Sequence, residues 1–159
     1  MTAPPPPGYR PCAGIVLRDG RGRVFLGHRR GFPADAPHAW QMPQGGIDEG
    51  EGATAASLRE LVEETGIRPG LVRVERVAAE PLRYDLPEGI APAHWRGRWR
   101  GQAVTWVHMA FLGADADVDL AQAHPEFEAW RWATPEEALA LVVPFKRAAY
   151  EAAFAGEAP

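Results

Sequence analysis

Residues 45–67 read GGIDEGEGATAASLRELVEETGI, and the ten that close the stretch, LRELVEETGI, carry charge where a helix tolerates it least. With about 100° between successive residues, Ala55, Leu58, Leu61 and Val62 fall in one apolar stripe. Glu60, Glu63 and Glu64 gather on the opposite side. Like charges three and four apart cost a helix roughly 0.2–0.5 kcal/mol per pair. Gly66 is the natural left-handed C-terminal cap, so the helix that starts near Ala53 ends there. Glu63 and Glu64 then lie in the last turn, whose partial negative charge favours cations. A helix shaped only by stability would carry Lys or Arg at those places. A solvated acidic face is the plain alternative.

The 159 residues suit one domain with a real core. A content of 46% hydrophobic and 24% charged residues is ordinary globular usage. No run reaches the ~18 apolar residues of a membrane span, and the start lacks the basic-then-apolar order of a signal peptide, so a cytoplasmic protein is expected. Cys12 is the lone cysteine, which excludes an intrachain disulfide and a cysteine-based zinc site; beside an apolar run it reads as a small buried residue. A net charge of −4 argues against a broad nucleic-acid footprint and against DNA, though not against contact with one end of a nucleic acid. Lys146 is the only lysine among 17 basic residues; the others are arginines, suited to bidentate phosphate contacts.

Residues 1–8, MTAPPPPG, form a flexible proline-rich arm, with the domain expected over 9–159. Apolar runs at 13–17 and 24–26 around DGRGR predict a β-hairpin. GFPADAPH is a loop, and WQMPQGG a short strand entering a glycine pair. Further strands are expected at 71–79, 82–86, 104–112 and 130–132, and helices at 135–141 and 145–154. Between them, HWRGRWRG at 94–101 is basic and aromatic, a composition that can grip RNA but is also common in surface loops. The order of elements predicts an α/β (α+β) arrangement, a mixed β-sheet sandwiched between α-helices.

The opening stretch also fits a longer pattern: Gly, five residues, Glu, seven residues, then Arg-Glu-apolar-any-Glu-Glu-any-Gly-apolar. Gly45, Glu51, Arg59, Glu60, Leu61, Glu63, Glu64, Gly66 and Ile67 match every specified position. This is the Nudix box, and the chain resembles a Nudix hydrolase. Carboxylates crowded at a helix C-terminus become favourable around a hard divalent cation, whose charge outweighs both repulsion and dipole. Mg²⁺ is the expected ion, with Mn²⁺ or Zn²⁺ as alternatives. Such an ion usually binds through few carboxylates together with substrate phosphates, so a polyphosphate is the expected substrate.

The resemblance implies that Glu60 and Glu64 bind metal, with Glu63 a further ligand or helper and Glu64 also the candidate general base. Arg59, within the catalytic motif, is expected to hold Glu51 and orient the loop. Gly45 and Gly46 are expected to permit the tight loop and to leave a backbone carbonyl free for the metal, with Gly45 counted among the metal ligands. YRPCAGIVL, WQMPQGGID, LRYDLP, HPEFEAWRWATPEEAL and VPFKRAAY extend the likeness over residues 9–150, to bacterial RNA pyrophosphohydrolases and the related dinucleoside polyphosphate hydrolases. That group implies Glu126 as a metal ligand outside the box, and Arg10, Arg29, Gln44, Phe145 and Lys146 as substrate-binding residues. Removal of pyrophosphate from an RNA 5′ end is the leading expectation; hydrolysis of a dinucleoside polyphosphate such as diadenosine tetraphosphate is the alternative. A non-catalytic binding module stands further off. The chain departs from the group at Val104, where a second glutamine is usual, and in the long loop GFPADAPHAW; both are expected to touch base recognition.

Overall fold

The computed structural model describes residues 7–155. Most of the proline-rich arm, residues 1–6, therefore lies outside the described residues. The strands are β1 (Tyr9–Arg18), β2 (Val24–Arg29), β3 (Trp40–Gln41), β4 (Gln44–Gly46), β5 (Val72–Val77), β6 (Leu82–Asp85), β7 (Gly101–Phe111) and β8 (Phe127–Ala133). The helices are α1 (Ala53–Thr65), α2 (Pro135–Leu141) and α3 (Arg147–Phe154). None is long and apolar enough to cross a membrane.

β1 and β7 form a parallel spine, from Tyr9 opposite Gly101 to Arg18 opposite Ala110. β5 and β6 run antiparallel along the far edge of β7, and β4 lies antiparallel on β1. Side chains alternate across a strand, so β1 feeds two cores. Cys12 and Val16 join Val104 and Trp106 beneath α2 and α3, while Ile15 and Leu17 join Val107 and Met109 beneath α1. The expected sandwich of a mixed sheet between helices is present.

The predicted hairpin turns where expected, with Asp19 Oδ1 accepting the backbone N–H groups of Arg21 and Arg23 at 3.0 and 2.8 Å. Its strands share only the pair Arg18 and Val24, however. β2 leaves to pair β3 and β8, because β1 has both edges taken by β4 and β7. The closing helix starts as a 3₁₀ turn at Pro144–Lys146 and becomes α-helical only at Arg147.

Gly66 caps α1 in the left-handed region (φ 74°), its N–H bonded to the Val62 carbonyl at 2.9 Å. The wheel reading of that helix needs correction. The face turned to the sheet holds Ala53, Ala56, Ser57, Leu61, Glu64 and Thr65, whereas Ala55 is exposed. Three small side chains near the start let α1 lie close to β1 and β4. That proximity carries Glu60 and Glu64 toward the sheet, and Glu63 alone of the trio is exposed.

Candidate active site

Strand β4 organises the site through two missing side chains. A Cβ on Gly45 would lie 2.0 Å from Glu60 Cδ, and one on Gly46 would lie 2.2 Å from Arg10 Nη2. One glycine thus admits a carboxylate to the strand and the next a guanidinium. Neither has a positive φ. Where a tight loop is expected, the pair closes a short extended strand, and the glycines are needed for close approach.

Glu64 is only 5% exposed. Burial first, then the charges of Glu60 and Glu126, hold its carboxyl well above the usual carboxylate range; the Gln44 N–H and Lys146 oppose them. Its Oε2 is buried and has no hydrogen-bond partner. Glu60 is also raised, chiefly by burial, although Arg59 counters it. Glu60, Glu63, Glu64 and Glu126 line one cavity of about 340 Å³. Among the described residues, no three such donors already converge on one point. An orphaned carboxylate oxygen beside three further carboxylates fits a divalent cation whose remaining positions fall to water and phosphate oxygens.

Arg59 ties the loop to this cluster, as expected. Its Nε and Nη2 donate to Glu51 at 2.9 and 2.8 Å, its Nη1 to Glu60 at 2.9 Å, and its Nη2 to the Gly46 carbonyl at 2.8 Å. Arg59 therefore takes the Gly46 carbonyl, and the expectation that Gly45 binds the metal is not touched by this contact. The fork, with the Asp48 N–H, holds the Glu51 carboxyl down at about 2. Glu51 and Gly66 are structural, one bracing the loop and the other ending the helix.

Arg10, Arg29, Phe145 and Lys146, four of the five expected substrate residues, line a second cavity of about 270 Å³ with Trp95 and Gln102. Gln44 is the exception. It lines neither cavity, and its Nε2 donates to Tyr84 Oη at 3.0 Å. Val104 is fully buried in the core under α3 and touches neither cavity, so the departure there concerns packing; Phe32 of the long loop lies under Arg29, 4.2 Å from its guanidinium.

Sequence reasoning missed the centre of this arrangement. Tyr84 Oη accepts from the side-chain amides of Gln44 (3.0 Å) and Gln102 (2.7 Å), and Gln102 Oε1 accepts from Arg10 Nη1 (3.1 Å) and the Cys12 thiol (2.7 Å). Cys12 is buried as expected, and burial pushes its thiol up to about 11. Tyr84 therefore links the strand whose N–H meets Glu64 to the arginine beside Gly46. The signal was LRYDLP, whose tyrosine carries no chemistry until β6 and β7 pair. Tyr84→Phe removes an acceptor shared by the buried Gln102 amide and the half-buried Gln44 amide, which costs about 1–3 kcal/mol. It should lower kcat/KM about tenfold by freeing Arg10. A fall in melting temperature with kcat/KM unchanged would make the network purely structural.

Lys146 is buried, and burial first, then Arg29, bring its ammonium down to about 8. It is charged, and able to bind an anion, below that pH. We expect kcat/KM to fall above pH 8 and to lose that inflection in Lys146→Met. The unfolded chain holds the extra proton up to its usual 10.5, so stability should rise with pH between about 8 and 10.5. Activity and stability thus move in opposite directions; a parallel fall of both would refute the assignment.

A model of the NUDIX domain family matches residues 8–153. A protein of Dinoroseobacter shibae named RNA pyrophosphohydrolase is 53% identical over 146 residues, covering 92% of this chain and 89% of that one. A Rhodospirillum rubrum protein of the same name is 48% identical over 156 residues, covering 95% and 91%. Among solved structures, the E. coli dihydroneopterin triphosphate pyrophosphohydrolase superposes with a TM-score of 0.63 at 22% identity, covering 91% of this chain and 95% of that one. A C. elegans Ap4A hydrolase binary complex gives 0.62 at 21%, covering 89% and 93%. At those identities the structures establish the shared fold.

Proposed function

Because the chain belongs to the NUDIX domain family, we propose that it is an RNA pyrophosphohydrolase, converting a 5′-triphosphate or diphosphate end of RNA to a 5′-monophosphate and so starting decay of the RNA in the cytoplasm. One observation supports this reading: two adjacent glycines of β4 lie against the Glu60 carboxylate, which lines the acidic cavity, and against the Arg10 guanidinium. The relatives about half identical over nearly the whole chain share the name of that activity.

Glu60 and Glu64 would hold a divalent cation, Mg²⁺ by preference for oxygen donors, with Glu63 and Glu126 completing the acidic wall. Such an ion would supply Lewis-acid polarisation of the phosphoryl oxygens and lower the pKa of the attacking water. Glu64 takes the proton of the attacking water. Arg59 is a positioning residue that fixes Glu60 and Glu51. Arg10, Arg29 and Lys146 hold the 5′ phosphates and Phe145 offers a ring to the adjoining base. An acidic chain suffices because only the terminus must be held.

The test is a comparison of kcat/KM, in Mg²⁺, for a 5′-triphosphorylated RNA oligomer and diadenosine tetraphosphate. Preference for the RNA, leaving a 5′-monophosphate, is expected. Preference for the dinucleotide would make this a small-molecule hydrolase, and inactivity on both would leave a binding module.

A further inference from the structure

The arginines around the site differ in what holds them. Arg59, which braces the loop, is held by the carboxylates of Glu51 and Glu60 at 2.8 to 2.9 Å. Arg10 is held by neutral groups: its Nη1 donates to Gln102 Oε1 at 3.1 Å, and its guanidinium lies 5.8 Å from the Trp95 ring. Arg29 goes further. Among the described residues no hydrogen bond or ion pair meets its guanidinium, and the group that does lie against it is the ring of Phe32, at 4.2 Å.

The main chain at the end of β2 is fixed from both sides, because the Arg29 N–H bonds the Ala39 carbonyl and the Arg30 N–H bonds the Glu126 carbonyl, each at 2.9 Å. Only the Arg29 side chain is left to be placed. Gly31 turns the chain with a φ of 90°, and Phe32, three residues after Arg29, folds back onto the guanidinium. A Cβ on Gly31 would meet nothing within 4 Å, so the glycine is there for the turn. The Phe32 ring is 41% exposed, and burial of its own surface therefore does not explain its position.

Resting on the reading that Arg29 grips the substrate's phosphates, we propose that Phe32 is a positioning residue that holds the Arg29 guanidinium ready for them. A carboxylate at the same place would take up the guanidinium's donors and cancel its charge. An aromatic face attracts the cation from one side and leaves its N–H edge free. The cavity that Arg29 shares with Arg10 and Lys146 has no carboxylate in its lining, so its positive charge stays available to an anion. Ordering a long side chain costs rotamer freedom, and a ring that holds it beforehand removes that cost from binding. The long loop thus serves the phosphates through Arg29.

The experiment measures KM and kcat on a 5′-triphosphorylated RNA oligomer for the wild type, Phe32→Leu, Phe32→Tyr, Arg29→Ala and the double variant Phe32→Leu/Arg29→Ala. Phe32→Leu should raise KM about fivefold, the scale of one partly exposed cation–π contact, with kcat within about twofold and the melting temperature within a few degrees. Phe32→Tyr keeps the ring and should restore the wild-type KM. Once Arg29 is alanine, Phe32→Leu should add less than about twofold, because nothing is left to position. The dissociation constant of inorganic tripolyphosphate, measured without divalent cation, should follow the same order, and it does not depend on RNA being the substrate. A full effect of Phe32→Leu that persists in the Arg29→Ala background would make the ring a substrate contact in its own right, and an unchanged KM would make it a plain surface residue; either overturns the proposal and leaves the RNA reading in place. A wild type inactive on the oligomer overturns the RNA reading instead, and the tripolyphosphate series then decides the proposal, which a constant unmoved by Phe32→Leu would overturn.

Discussion

Glu64→Gln should reduce kcat by about two to four orders of magnitude, the scale of losing a positioned acid–base or metal group, while the fold survives. The argument is electrostatic. Glu64 is buried, its carboxyl raised by burial and by Glu60 and Glu126, and its Oε2 lacks a partner. A neutral amide of nearly the same shape removes a charge that only a cation makes favourable at that position. The apo variant should therefore melt no lower than the wild type. A ligand that binds the native state alone raises its melting temperature, so the second readout is the upward shift produced by Mg²⁺, expected in the wild type and lost in the variant. A kcat within tenfold of wild type would place the chemistry on another carboxylate.

Gly45→Ala should be the second severe substitution, and it separates activity from stability. The added methyl would stand 2.0 Å from Glu60 Cδ and 2.3 Å from both its carboxylate oxygens. The backbone there is extended and accepts alanine; the conflict is with the free end of a side chain that can swing away. Stability should change by about 1 kcal/mol or less, a shift of roughly 2–4 °C. A displacement of about 1 Å at a reacting centre costs on the order of a hundredfold in rate. Gly46→Ala serves as the contrast: its methyl meets Arg10 Nη2 at 2.2 Å, so it should act mainly on KM. If both substitutions altered the same kinetic parameter, the division of labour between the two faces of β4 would be wrong.

Much of the site was legible in the chain because its residues lie close together in sequence. The helix ending at Gly66, the fork of Arg59 on Glu51 and the carboxylates four apart are local facts, set by the helical repeat and by the loop length. Lys146, Arg10, Arg29 and Glu126 were reachable only through likeness to a family, since nothing in their neighbourhoods marks them. Two readings failed for one reason. The apolar stripe of α1 was drawn from residue types alone, yet the sheet demanded small side chains and accepted the Glu64 carboxylate in the buried face. The glycine pair suggested a tight loop, yet both residues are extended, and what they lack matters more than how they bend.

Residue order by itself determined most of the elements and the acidic helix end, because those follow from periodicity, caps and charge within a few turns. Tertiary structure decided which strands meet. Pairing β1 with β7 and β6 with β7 joins segments remote in sequence, and only then do Tyr84, Gln102 and Arg10 share hydrogen bonds. Such contacts are selected by the packing of the whole core, which no local window of sequence contains.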